Sequence, residues 1–125
     1  KTDYFPSDAP DLSNATNMAI DGSVYVLFND GGIKKYTRGK EESFAVSGLD
    51  KPLSKSAKIF TNEDADNVYV LDNGNSRIVV LDKDGKFVTA YSVSVLKNAK
   101  DIDVQEASKK IFILSGGKTY QIDIK

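Results

Sequence analysis

An all-β fold of repeated, four-stranded antiparallel sheets is predicted by three observations in the 125-residue sequence. A short apolar stretch recurs at a fixed interval, turn-forming residues bound each copy, and no window carries the 3.6-residue apolar period of a helix. Val24-Tyr25-Val26-Leu27 returns letter for letter as Val68-Tyr69-Val70-Leu71, 44 residues later. It returns conservatively as Ile111-Phe112-Ile113-Leu114 after a further 43. Repeats of about 40–45 residues with strand signals only point to propeller blades of four strands each.

The first copy reads as a strand over Asn17–Ile20, a two-residue turn at Asp21-Gly22, a second strand over Val24–Phe28 and a turn at Asn29-Asp30-Gly31-Gly32. A third strand covers Ile33–Thr37, and Arg38-Gly39-Lys40 turns into a fourth around Ser43–Val46. In the second copy Ala57–Thr61, Val68–Asp72, Arg77–Leu81 and Phe87–Tyr91 take those parts. Asp84-Gly85 gives a type I′ hairpin signal, both of its central residues being expected at positive φ. The third copy supplies Ala99–Val104, Lys110–Ser115 and Thr119–Ile124, with no fourth strand. The expected architecture is a partial β-propeller in a single domain, two complete blades and one incomplete. Its parts are an N-terminal strand and linker over 1–14, blade 1 over 15–50, blade 2 over 51–96 and partial blade 3 over 97–125.

Patterning within the strands supports stacked sheets. Val-Tyr-Val-Leu is apolar on successive residues, so both faces of that strand need cover, whereas a sheet over one core alternates. Asp101-Ile102-Asp103-Val104 does alternate, as an inner strand beside a wet channel or an exposed end would. Tyr25, Tyr69 and Phe112 hold equal blade positions and are expected in the core.

The run from Asn67 to Phe87, with Asp72-Asn73-Gly74-Asn75-Ser76-Arg77-Ile78 and Asp84-Gly85 at its centre, resembles an NHL-type propeller repeat. That pattern is a hydrophobic strand, Asp, a small polar loop with Asn, Arg-Ile, a second strand and Asp-Gly. The match covers residues 67–91 and thins elsewhere, since Ile33 follows Gly32 with no Arg and the third copy shortens the loop to Ser115-Gly116-Gly117. The resemblance implies a propeller that presents loops for binding.

Propellers close with about 4–8 blades, more than this chain supplies. Open blade faces would leave apolar patches of several hundred Å², roughly the limit a monomer tolerates. Three resolutions are open: membership of a larger ring, pairing of two copies into a six-bladed ring, or local capping. Thr2-Asp3-Tyr4-Phe5-Pro6 reads as a short strand that could belong to a preceding blade or replace the missing outer strand of the last. The favoured expectation is a piece of a larger propeller protein of bacterial type that self-associates or joins further blades. The start at Lys1 is read as a processed product or part of a longer chain, with a lean towards an extracytoplasmic segment whose membrane tether lies upstream.

Composition narrows the chemistry. With no Cys and no His, disulfides, thiolate metal sites and the commonest general base are removed together. A net charge of −1 and a pI near 5.4 lack the basic bias of a nucleic-acid binder. No apolar run approaches the roughly 20 residues that span a bilayer, so no membrane contact by this segment is expected. No catalytic residue, cofactor or metal is assigned.

The candidate binding residues are Asn29, Asp30, Asp72, Asn73, Asn75 and Arg77, in the loops between second and third strands. Asp and Arg five apart across a tight loop can also pair and hold it, and Asn tolerates the left-handed backbone such loops use. Asn62-Glu63-Asp64-Ala65-Asp66-Asn67 imitates the start of a calcium loop, but Asn67 stands where Gly is needed and Asn73 where Glu is needed. A polar turn is the reading taken. Lys34, Lys35, Arg38 and Lys40 read as a solvated outer edge, and Asn14-Ala15-Thr16 as a chance glycosylation pattern. The expected function is a non-enzymatic scaffold binding a protein or small polar ligand. The competing reading is a gluconolactonase-like metal-dependent hydrolase with Asp101 and Asp103 on the channel.

Overall fold

The structure is a computed structural model that describes residues 4–5 and 9–124. Three antiparallel sheets follow one another along the chain, each a meander of neighbouring strands. Blade 1 comprises β1 (Ala15–Ile20), β2 (Val24–Phe28), β3 (Ile33–Thr37) and β4 (Lys40–Glu42). Blade 2 comprises β5 (Ser56–Phe60), β6 (Val68–Asp72), β7 (Arg77–Leu81) and β8 (Phe87–Ser92). Blade 3 has three strands, β9 (Ala99–Gln105), β10 (Lys110–Ser115) and β11 (Lys118–Asp123). The inner strands β1, β5 and β9 lie side by side, each with a register shift near its start, at Ala15/Asn17, Ser56/Lys58 and Ala99/Asp101. Among the described residues no helix is long and apolar enough to cross a membrane.

The continuous apolar strands β2 and β6 are buried on both faces, as their pattern requires. Val68, Val70, Val79 and Leu81 pack with Tyr25, Leu27, Ile33 and Ala19 of blade 1. The alternate residues Tyr69, Leu71, Ile78 and Val80 pack with Ile102, Val104, Ile111 and Ile113 of blade 3. Every residue of β6 and β7 is buried. Burying one such aliphatic side chain contributes roughly 1.5–3 kcal/mol, so these two interblade layers hold the array together. On β9 the alternation predicted for an inner strand is present: Ile102 and Val104 are buried while Asp101 and Asp103 are exposed.

Five expectations need correction. The fourth strand of blade 1 is Lys40–Glu42, not Ser43–Val46; it pairs with Lys35–Thr37 directly after a tight turn in which Arg38 and Gly39 both have positive φ. Phe44 and Val46 leave the sheet and pack into the layer between blades 1 and 2. Asp84-Gly85 is not a type I′ pair, because only Gly85 has positive φ there. Gly85 N–H donates to Asp82 O and Asp82 N–H to Lys86 O, a three-residue loop closed by a glycine bulge. The β1–β2 connection has three residues, Asp21 to Ser23, not two. Phe112 is only partly buried, because no blade among the described residues packs against its face of blade 3. Tyr4 and Phe5 form no strand: the Phe5 ring meets the Tyr36 ring edge-on at 5.0 Å, on the outer side of blade 1. Thr2, Asp3 and Pro6 lie outside the described residues.

The linker between blades 1 and 2 runs against the Gly85 hairpin, with Ser47 N–H donating to Gly85 O and Phe87 N–H to Ser47 O. A Cβ at Gly85, where φ is +97, would stand 2.6 Å from Ala45 O. Gly85→Ala is therefore expected to lose about 1–2 kcal/mol from the left-handed backbone and more from that collision. Gly22→Ala, at φ +108 with nothing within 4 Å, isolates the backbone part. Urea midpoints of the two variants separate the contributions; equal losses would mean that the linker is not clamped there.

Candidate binding site

At one end of the blades the β2–β3 and β6–β7 connections lie beside the linker over 43–55. The two sets of candidate residues have different surroundings. In blade 2, Asp72 is fully buried, and its carboxylate accepts from Ser54 N–H at 2.9 Å, the Ser56 hydroxyl at 3.3 Å, Asn75 Nδ2 at 2.9 Å and Arg77 Nε at 2.9 Å. Arg77 continues outwards, donating through Nη2 to Lys51 O at 2.6 Å and pairing with the exposed Asp50 at 3.0 Å. Asn75 Nδ2 also reaches Pro52 O, at 3.1 Å. Asn73 turns the other way and donates to Leu96 O and Ala99 O, 2.8 and 2.9 Å distant. A buried carboxylate with four donors is the anchor of the linker, and Asn73 ties the same loop to the start of blade 3.

This geometry follows from local sequence. A short 3-10 turn over Asn73–Asn75 ends with Ser76 in the left-handed region, so the chain reverses within four residues and sets Arg77 opposite Asp72 across the ladder. Asn75 and Arg77 also border an open groove of about 460 Å³ with Asp50, Lys51 and Phe87.

In blade 1 the equivalent loop carries no Arg, and the space beside it is unfilled. An open pocket of about 560 Å³ is walled by Ile33, Val46, Leu49, Pro52 and Leu53, with Asp30 on its rim. Asn29 and Asp30 are both exposed; the Asp30 carboxylate accepts one bond, from Gly32 N–H at 2.8 Å. The two residues also border a smaller depression of about 300 Å³ with Asp11, Asn14 and Lys34. Blade 1 therefore presents an apolar cleft with a carboxylate at its mouth, where blade 2 has a buried ion pair.

The opposite end holds polar ties that sequence reasoning did not find. Glu106, on the β9–β10 loop, accepts from Asp66 N–H at 2.7 Å, Asn67 N–H at 3.3 Å and the Tyr69 hydroxyl at 2.7 Å. The acidic loop over 62–67 is thus held by a carboxylate some 40 residues away in the chain. Among the described residues no group of three or more Asp or Glu side chains is placed to share a metal ion. Asp101 lies 3.5 Å from Lys58 and, with Asp103, borders a shallow depression over Phe112 and Leu114. In the basic hairpin Lys34, Arg38 and Lys40 are exposed, while Lys35 reaches Lys83 O at 3.3 Å and Glu42 at 3.7 Å.

Lys83 bridges blades 1 and 2, meeting Asp21 at 2.5 Å and the Thr61 hydroxyl at 2.7 Å, while the Tyr25 hydroxyl donates to Asp21 at 3.1 Å. Burial pushes the Asp21 carboxyl up, but Lys83, Ser23 N–H and Tyr25 outweigh it and leave it below its ordinary value of 3.8. Burial and the adjacent Asp21 push the Tyr25 phenol well above its usual range. A depressed carboxyl stabilises the fold above its unfolded value and loses that contribution as pH falls through its folded value. Asp21→Asn is expected to lower the melting temperature at neutral pH, the two curves converging as pH drops below 3.8. A pH-independent gap between them would remove this assignment.

No family model matches the chain, and no curated protein matches it. Solved structures do. One is KlHsv2 with loop 6CD replaced by a Gly-Ser linker, at TM-score 0.61 and 8% identity over 89% of this chain and 36% of that one. Another is streptogramin B lyase, at TM-score 0.58 and 20% identity over 96% and 43%. A third is the computationally designed Ika4 protein, at TM-score 0.53 and 10% identity over 100% and 99%. The chain is a partial β-propeller. It spans less than half the length of the first two structures, and identities this low show the fold alone.

Proposed function

We propose that the chain is a non-enzymatic binding module, a section of a larger or oligomeric NHL-type propeller that takes its ligand at the blade 1 cleft. The observation that carries this is the contrast between equivalent loops. Blade 2 ties its linker down with Asp72 and Arg77 and leaves beside them a groove lined largely by polar residues, whereas blade 1 leaves an apolar cleft under the exposed Asp30. Apolar walls with a few polar groups at the mouth are the usual form of a ligand pocket. The fitting ligand is an extended protein segment or small molecule with an apolar group for Leu49, Pro52 and Leu53 and a donor for Asp30. The NHL-type assignment draws its support from residues 67–91, where Asp72 and the Arg77-Ile78 pair stand in the places that pattern gives them.

The test is a library of short peptides and fragments screened by amide chemical-shift mapping. Hits are expected to move residues 29–33 and 46–53, and Asp30→Lys is expected to weaken a cationic hit tenfold or more while leaving the spectrum otherwise intact. Hits confined to the 62–67 and 106–109 loops, or turnover of a substrate by the purified chain, would overturn the reading.

A further inference from the structure

We propose that the open face of blade 3 seats the open face of blade 1 of a second copy of this chain, so that two copies close a six-bladed ring. This deepens the reading above by naming the partner that completes the propeller. The two interblade layers within the chain serve as the template. Register alignment makes Tyr25, Tyr69 and Phe112 equivalent, and likewise Leu27, Leu71 and Leu114. In blades 1 and 2 these side chains face the next blade, where Ile59 and Ile102 receive them. In blade 3 no blade among the described residues covers them, and Leu114 is 45% exposed. The residue equivalent to Ile59 and Ile102 in blade 1 is Met18. Met18 is 59% exposed, and Ile20 beside it 54%. The most open apolar positions of the two end faces are thus the ones that meet in each layer already formed.

The coverage of the two faces is complementary. Among the described residues blade 3 has three strands and offers only those. Blade 1 is open at β1 but covered over its outer strands, where Phe5 caps Tyr36 and the Tyr4 hydroxyl reaches Tyr36 O at 3.4 Å. What remains uncovered on blade 1 is the part that a three-stranded blade can reach.

One polar position matches as well. Tyr69 donates to Glu106 of the following blade. Phe112 has no hydroxyl to place, and the blade 1 residue equivalent to Glu106 is Gly22. Asn17 of blade 1 accepts from Ile59 N–H of blade 2 at 3.0 Å; Asp101 occupies the Asn17 position in blade 3, its carboxylate accepting from Ile102 N–H at 2.9 Å and lying 3.5 Å from Lys58 of blade 2. The interface is head-to-tail, and a head-to-tail interface terminates only by closing a ring. Two three-bladed copies make six blades, within the range of about 4–8 in which propellers close.

Light scattering after size exclusion is expected to give twice the 13.7 kDa chain mass at high concentration and a falling mass on dilution. Leu114→Glu is expected to weaken association at least tenfold, whereas Val88→Glu, on the exposed strand β8, leaves it unchanged. Because the chain has no Cys, thiols can be placed at will. With a short bismaleimide, Met18→Cys mixed with Leu114→Cys is expected to give a linked dimer, and either alone none. The double variant is expected to stop at a doubly linked dimer. A monomer at every concentration, links within either single variant, or a ladder of longer oligomers from the double variant would each overturn the proposal. Ligand mapping at the blade 1 cleft is read separately, so failure of the ring leaves the binding-module reading standing and the reverse holds too.

Discussion

Arg77→Met is expected to lower stability by about 3–5 kcal/mol, the loss typical when one partner of a buried ion pair is removed. Asp72 is fully buried, and the Arg77 side chain is only 6% exposed, so a methionine leaves a carboxylate in the interior with its counter-ion gone. The remaining donors, Ser54 N–H, the Ser56 hydroxyl and Asn75 Nδ2, soften the loss without replacing the charge. The linker suffers too, since Lys51 O loses its 2.6 Å donor. Asp50→Ala, which removes the exposed end of the same network, is expected to lose no more than about 1 kcal/mol. Urea unfolding at unchanged slope reads these differences. Asp72→Asn added to Arg77→Met is expected to recover part of the loss, because it removes the stranded charge; a strictly additive double variant would refute the coupling.

The Asp72–Arg77 pair also shows how far the sequence carries. Its five-residue spacing across a tight loop is legible, because a strand, a short turn and a returning strand set the two side chains opposite each other. What the pair holds is not legible. Asp50, Lys51 and Pro52 lie 25–27 residues away in irregular chain, and no local pattern marks them. The same holds for Glu106, whose bonds to Asp66 and Asn67 turn an acidic loop into a seam between blades 2 and 3.

Blade 1 shows the opposite failure. Its fourth strand, Lys40-Glu41-Glu42, is exposed throughout and carries no burial signal. The apolar Phe44 and Val46 nearby belong to the interblade core. The turn before it sets Arg38 at φ +53, which composition does not announce. Phe112 departs from its expected place in the core for a different reason. A repeat pattern treats all copies alike, but the surroundings of the last copy depend on whether another blade follows. The candidate site inherits that limit, because Asn29 and Asp30 look like Asn73 and Asn75 in sequence, and only the packing of residues 46–53 shows that one loop borders a cleft and the other an ion pair.

Leu71→Ala is expected to lose about 2–5 kcal/mol, the range for a buried leucine whose site collapses only in part. Leu71 is fully buried in the layer between blades 2 and 3. Leu27, at the equivalent place between blades 1 and 2, is as buried and is expected to match it. Leu114 holds the same register position on the open face, and the three substitutions form an internal ladder in which chemistry is constant and only cover differs. In dilute solution Leu114→Ala is expected to lose less than about 0.5 kcal/mol, as exposed positions do. At concentrations where two copies pair, its loss is expected to rise towards that of Leu71→Ala, since association adds to stability by mass action. Thermal melts of the three variants across a dilution series read this directly. A Leu114 loss that stays small at every concentration would mean that blade 3 ends the array with its apolar centre in water; a large loss at every concentration would mean that a part of the same chain covers it.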